Sequence, residues 1–440
     1  MRFVIVNTTR SVAWVGLGLL CWAGPLNAAQ QSSATNWVSL EALVAQALQS
    51  NPELNFYIAE LAAAKAGRQT AAKLPNPEIT VDLGYKRDQT PAGEFLGDGP
   101  AWSVSVLQPF ELPGRMALRK AIANRQIALA ELSLEQFRAE LAARVRSLGF
   151  KLLAAQQTAE ATREVAERVQ ALLAVLVQRD LAGLTPLLEM RVIEANAVTL
   201  QRRLAQAEQA VQLARLDLNL ACGLPLEQPT AIAPTNLVLE PLPPLEELLA
   251  LARTNSLELR LRQAELEQQG FQVELARKER WPRVSLGPFY SRERSQDQET
   301  IVGLGLAVPL PVWDTKKTAV QQAQARLQQA ETSMRVTQRK IERQVTEHAV
   351  TYQRQLAAMA RWQTNALEQF RQAAELGDRH YRLGSLPVST YLELQKQYLD
   401  ATEALLQTQA DALESRQQLE LLLGKPLGAL SQAPPHGRTE

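Results

Sequence analysis

The 440-residue chain repeats itself once, and that duplication limits its fold more than any other feature. Leu40-Glu41-Ala42-Leu43 returns as Leu245-Glu246-Glu247-Leu248. Pro77, followed by Ile79, Val81 and Tyr85, returns as Pro282, Val284, Leu286 and Tyr290. Gly183-Leu184-Thr185-Pro186 matches Gly384-Ser385-Leu386-Pro387, and Gly223-Leu224-Pro225-Leu226 matches Gly424-Lys425-Pro426-Leu427. The first two pairs are offset by 205 residues and the last two by 201. A period of about 200 is too long for a solenoid repeat, so one half-molecule is used twice. The predicted layout is a first repeat over residues 29–224, a Pro-rich linker over 225–244, a second repeat over 245–428 and a flexible tail over 429–440.

Each half predicts the same order of elements. A helix over residues 39–73 is matched by one over 245–280, with Asn51-Pro52 interrupting the first, because proline disfavours helical geometry in the residue before it. Strand pairs follow at 78–87 and 101–109, then at 283–292 and 301–309. Each pair is joined by a polar connection, Gly-, Pro- and Asp-rich over 88–100 and shorter over 293–297, and ends in a proline-marked turn. Then come proline-free helical stretches over 115–179 and 315–381. At 1.5 Å rise per residue each is a rod of about 100 Å. A Gly/Pro tip reverses the chain into returning helices over 187–222 and 388–423.

The returning helices carry a heptad seam: Met190, Ile193, Ala197, Leu200, Leu204, Ala207, Val211, Ala214, Leu218 and Ala221, repeated as Tyr391, Leu394, Tyr398, Ala401, Leu405, Thr408, Ala412, Ser415, Leu419 and Leu422. Spacing of three and four predicts coiled-coil-like packing. Apolar Leu188, Leu213 and Leu216 beside the seam predict contacts on more than one side, as in a wall of helices.

The strands alternate. Ile79, Val81, Leu83 and Tyr85 share one face; Thr80, Asp82, Gly84 and Lys86 share the other. Strands of about 9–11 residues with one apolar face suit a transmembrane barrel, although a soluble hairpin covered by helices has the same pattern. Four strands cannot close such a barrel, and open edges in lipid leave backbone groups unsatisfied. Membrane-spanning strands here therefore require several copies of the chain.

Composition and the N-terminus fit export. Lys plus Arg (47) balance Asp plus Glu (46), a net charge of +1 that argues against a nucleic-acid partner. Mean hydropathy is −0.18, unlike a polytopic helical membrane protein. With 3 His and 2 Cys, neither a disulfide scaffold nor a His/Cys metal cluster is expected. Residues 1–28 form a signal-peptide pattern: Arg2 and Arg10, an apolar core from Val12 to Trp22, Pro25, and small residues at Ala28 and Ala29. Leu20 stands where lipidation of Cys21 would want a small residue. Cys222 is then a small core residue on an apolar helix face.

Ala47, Leu48, Asn51 and Pro52, then Leu74-Pro75-Asn76-Pro77, Gln108-Pro109 through Leu112-Pro113-Gly114, and Leu422-Leu423-Gly424 together resemble the TolC-like outer-membrane efflux proteins over essentially the full mature length. The Leu-Pro-Asn-Pro and Leu-Pro-Gly elements look most like the heavy-metal (CzcC-like) branch. The resemblance implies a mainly α fold with a β-barrel part: a trimer whose twelve strands form one outer-membrane barrel, continued by a periplasmic α-helical barrel. It implies the exit duct of a tripartite pump, with a periplasmic adaptor and an inner-membrane transporter of RND type as partners, outer-membrane lipid around it, and no catalytic residues, cofactor or resident metal. By position it carries over two sites. The tips that face the adaptor fall at Gly183, Leu184 and Thr185, and at Gly384, Ser385 and Leu386, the second departing from the family pattern after its Gly. The periplasmic constriction falls at Thr390 and Glu393, where the family often has two acids and this chain keeps one, with Asp378 and Arg379 nearby as a candidate closing pair.

Other signals are weak. His348 and His380 lack the i, i+4 spacing of a helical metal site. Gly303-x-Gly305 lies in a strand and opens no helix, unlike a nucleotide fingerprint. Glu246-Glu247 sits where a helix N-terminus favours negative charge. The alternatives left open are an organic-solute duct and a periplasmic coiled-coil scaffold without a pore.

Overall fold

A computed structural model describes residues 37–111, 113–180, 187–233, 239–295, 297–310, 312–361 and 366–427. The expected signal segment, the expected first tip with Gly183, Leu184 and Thr185, and the expected C-terminal tail lie outside the described residues.

The described chain opens with β1 (Trp37–Val38) and α1 (Leu40–Ser50), whose first turn is capped by the Ser39 hydroxyl accepting from the Ala42 N–H at 3.3 Å. As the Asn51-Pro52 step predicts, the helix breaks there and resumes as α2 (Glu53–Ala71). Strands β2 (Glu78–Gln89) and β3 (Phe95–Phe110) follow, then α3 (Arg115–Asp180) and α4 (Leu187–Cys222). After β4 (Ala231–Ile232) the order recurs: α5 (Leu245–Asn255), α6 (Leu257–Glu279), β5 (Val284–Arg294), β6 (Gln298–Ala307), α7 (Lys317–Ala360), α8 (Ala366–Arg382) and α9 (Val388–Leu423).

Four expectations need correction. The single helix expected over 245–280 is α5 plus α6, broken at Ser256 although no proline stands there. The rod expected over 315–381 is described as α7 and α8. Helix α7 ends where the Arg361 N–H bonds the Ala358 and Met359 carbonyls, a tightened final turn. Absence of proline removes only one way of ending a helix. The polar loop expected over 88–100 is mostly strand: Asp98 pairs with Arg87 and Pro100 with Tyr85. Pro100 lies just beyond the first β3 residue that pairs with β5, Ala101, so at its position β3 has a described partner on one side only, as proline in a sheet prefers. Finally, β1 and β4 pair in parallel, Trp37 with Ala231 and Val38 with Ile232, putting a strand inside the expected linker.

The duplication survives as packing. One cluster buries Leu43, Ala47, Leu141, Val145, Leu218 and Cys222; another buries Leu248, Ala252, Ile341, Val345, Leu419 and Leu423. These are the same six places in the two repeats. Cys222 stands where the second repeat has Leu423, which makes it a core residue, and burial pushes its thiol up to about 11. Each fully buried Leu or Val contributes about 1.5–3 kcal/mol. None of the twenty seam positions is exposed. On α4, however, Leu188, Val198, Leu213, Leu216 and Leu220 lie exposed on the side away from α3, whereas α9 is packed by α3, α7 and α8.

The repeats are tied where strands become helices. Arg115, 3% exposed, donates to the carbonyl of Lys278 at 2.7 Å and to that of Trp281, closing the end of α6 from the start of α3. The buried carboxylate of Glu111 accepts from Arg119 at 2.5 Å and faces Arg283 at 3.7 Å, joining β3, α3 and β5. Two of the motifs that mark the sequence also meet: Gln108 donates to the Pro75 carbonyl at 2.9 Å.

Candidate functional site

The two hairpins form one antiparallel sheet in the order β2-β3-β5-β6, with β2 and β6 as its edges. Its register sorts every side chain. Ile79 pairs with Val106, Val81 with Val104 and Leu83 with Trp102; across the next ladder Val104 pairs with Tyr290, and Tyr290 with Val302. Successive residues point to opposite faces, so Ile79, Val81, Leu83, Tyr85, Trp102, Val104, Val106, Tyr290, Val302, Leu304 and Leu306 all share one face. Much of it is bare: Leu83 is 82% exposed, Val302 73% and Leu304 74%. From Phe110 to Trp102 this face, apolar except for Gln108, covers eight steps, about 27 Å along the strand; tilted by 35–45° it rises about 19–22 Å, somewhat less than the roughly 25 Å band of an outer-membrane barrel.

The opposite face is mostly small and polar, with Thr80, Asp82, Ser103, Ser105, Ser285, Ser291, Gly303 and Gly305, although Leu107, Phe289 and Ile301 also lie on it. Ser103 donates to Asp82 at 2.8 Å. Near the hairpin turns Lys86 reaches Glu293 and Glu299, each at 2.9 Å, with Asp88 at 4.0 Å.

At the far end of the rods, α8 and α9 build the described tip. The Gly384 N–H bonds the Tyr381 carbonyl at 2.9 Å and the Ser385 N–H bonds that of His380 at 3.0 Å, a Schellman closure with Gly384 at φ 73°. The Ser385 hydroxyl also donates to the His380 carbonyl at 2.9 Å and lies 3.1 Å from its Nδ1. Pro387 then starts α9. Gly384 and Ser385 are exposed, whereas Leu386 packs against the buried cluster beneath. The exposed apolar side chain of the turn is Leu383, at 75%.

Above the turn, Thr390 and Glu393 lie exposed on α9, and the Glu393 carboxylate accepts from Gln397 at 2.6 Å. Asp378 is engaged differently from the pairing expected: it accepts from Arg382 at 2.8 Å and from the Tyr391 hydroxyl at 3.3 Å, while Arg379 is exposed and makes no ion pair among the described residues. The i, i+4 spacing of Asp378 and Arg382 is the sequence signal for that pair. Tyr391, fully buried, stacks on Tyr381 with centroids 5.0 Å apart. Burial pushes its hydroxyl up, and the facing Asp378 adds to the shift. Gln395 donates to the Ala374 carbonyl at 2.8 Å, so α8 and α9 are pinned by buried contacts on both sides of the candidate gate. Among the described residues, no helix is long and apolar enough to cross a membrane.

The comparisons with known proteins fit this geometry. The profile of the outer membrane efflux protein family matches residues 43–224 and 248–425, one match in each repeat. The cobalt-zinc-cadmium resistance protein CzcC of Cupriavidus metallidurans is 29% identical over 295 residues, covering 65% of this chain and 67% of that one. The outer-membrane channel OprN superposes with a TM-score of 0.71 at 20% identity, covering 88% of this chain and 90% of that one. The CmeC outer membrane channel of Campylobacter jejuni does so with a TM-score of 0.71 at 15% identity, covering 88% and 85%. The sequence resemblance to TolC-like channels of the outer membrane is therefore borne out. With the family's profile filling most of both repeats, the chain belongs to the outer membrane efflux protein family.

Proposed function

We propose that the chain is the outer-membrane exit duct of a tripartite efflux pump and carries divalent heavy-metal cations passively to the exterior. The observation that carries this reading is the four-stranded sheet, apolar and largely exposed on one face, mostly small and polar on the other, and unpaired at both edges among the described residues. In lipid those edges have to be satisfied. Three copies would close twelve strands into one barrel with the apolar face outward. The uncovered apolar side of α4 supports contacts between copies, which would line up the rods as a periplasmic tunnel.

In this reading residues 29–224 and 245–428 are the two repeats and 225–244 joins them. The tips, with Gly183, Leu184 and Thr185 in the first and Gly384, Ser385 and Leu386 in the second, meet a periplasmic adaptor. An inner-membrane transporter of RND type supplies the energy. The cargo assignment is supported by the similarity to CzcC. Glu393, exposed on α9, would form a ring of three carboxylates that attracts cations and narrows the passage.

The test is direct. The protein should fractionate with the outer membrane as a detergent-stable trimer and give discrete single-channel currents in a planar bilayer. A soluble monomer in the periplasm would overturn the conduit. Cells lacking the protein should become sensitive to divalent metals; sensitivity to organic toxins alone would move the cargo to the organic class.

A further inference from the structure

The register of the sheet assigns a second ligand to its outward face. Along the apolar side of the four strands, the charged residues are Arg87, Asp98, Arg292 and Arg294, and all four sit at the hairpin end. Arg87 pairs with Asp98, Arg292 with Trp102 and Thr300, and Arg294 with Gln298. At the helix end the same face ends in Gln108, Phe110, Val284, Leu286 and Leu306, without a charge.

Two further observations distinguish these arginines from an ordinary solvated rim. Aromatic rings lie among them on the same face: Tyr85 opposite Pro100, Trp102 directly beside Arg292, and Tyr290 one step further toward the helices, the last two with ring centroids 5.3 Å apart. Such rings mark the boundary between hydrocarbon and headgroups. In addition, all three arginines are exposed and none makes an ion pair among the described residues. The one carboxylate on their face, Asp98, lies beside Tyr85. Lys86, at the same height on the opposite face, is by contrast fully engaged with carboxylates.

We propose that Arg87, Arg292 and Arg294 bind the phosphate groups of the phosphorylated glycolipid in the outer leaflet. This rests on the reading of the sheet as barrel wall, in which the hairpin end lies away from the periplasmic helices. Guanidinium groups hold phosphate oxygens in bidentate fashion. The strand residues on the apolar face at this end carry a net charge of +2 per chain, from three arginines and one aspartate. The occupant is a lipid headgroup rather than free phosphate because the cationic rim is continuous with the apolar face, which would hold the acyl chains of the same molecule. The absence of charge at the helix end matches a membrane whose two leaflets differ in headgroup.

The test uses the full chain, purified in detergent, with bisphosphorylated lipid A as the probe. The wild type should bind it at least tenfold more tightly than the dephosphorylated form or phosphatidylglycerol. Arg87→Ala/Arg292→Ala/Arg294→Ala should lose that preference while keeping the oligomer and its single-channel conductance. Should the triple variant fail to assemble, each single Arg→Gln variant should weaken binding about threefold. Unchanged preference in the variants would overturn the proposal. So would equal binding of phosphatidylglycerol by the wild type, or displacement of lipid A by millimolar inorganic phosphate. A wild type that conducts but shows no phosphate preference sinks this inference alone; one that neither conducts nor fractionates with the outer membrane sinks the duct.

Discussion

Gly223 and Gly424 show what single residues contribute. Each ends a returning helix at positive φ, 68° and 64°. A Cβ on Gly223 would overlap the Ser50 carbonyl, and one on Gly424 the Asn255 carbonyl, so both repeats press this turn against the backbone at the end of their own first helix. Asn51 secures the first junction: buried, it donates to the Ala221 carbonyl at 2.9 Å and accepts from the Glu53 N–H at 2.7 Å. Gly223→Ala and Gly424→Ala should each destabilise the protein by about 2 kcal/mol, through strained φ and displaced backbone. Sharing no partner, they should add. Gly384→Ala has the positive φ but meets no atom within 4 Å, so it should cost only about 1 kcal/mol. Unfolding midpoints of the solubilised protein check the ranking; equal losses at all three sites would mean that the backbone contacts contribute nothing. The sequence marked these glycines as repeat anchors. It could not show what they touch, because the contacted carbonyls lie about 170 residues earlier in the chain.

At the scale of elements, the tip is a Schellman turn held on rigid supports. Leu383 and Gly384 lie exposed at its end, while Leu386, Tyr391 and Gln395 fix it to the core. Gly384→Val is therefore expected to strain the turn and obstruct a docking partner without disturbing the oligomer. The readout is export and adaptor cross-linking alongside native oligomer size; undiminished cross-linking would remove the tip from the adaptor contact. Local pattern predicted these elements well where it was periodic, as in the heptad seam of α4 and α9. It failed at Ser256 and Arg361, where helices end without proline, and over 88–100, where turn-forming residues turned out to be paired strand. Propensity is a weak prior that tertiary pairing overrides.

At the scale of the whole molecule, a single chain carries an incomplete structure. Among the described residues its sheet has two open edges and its α4 face has no cover. Glu393 shows the consequence. Its described partner is Gln397 on its own helix, so its proposed role depends on copies meeting around an axis. Glu393→Ala should raise the leak conductance of the closed duct several-fold and lower its preference for cations. Identical single-channel currents and reversal potentials in wild type and variant would exclude Glu393 from the gate.

The sequence by itself determined the duplication, the long rods, the seam and the alternating strands, because each is a periodicity or a short motif written along the chain. It also carried the family, through the order of those motifs. The tertiary structure decided which elements meet: that β3 pairs with β5 to merge the hairpins, that Asp378 belongs to Arg382 and Tyr391, and that Arg87 shares a face and a sheet end with Arg292 and Arg294. Those facts depend on register and packing between residues far apart in sequence, and no local period encodes the register between distant strands.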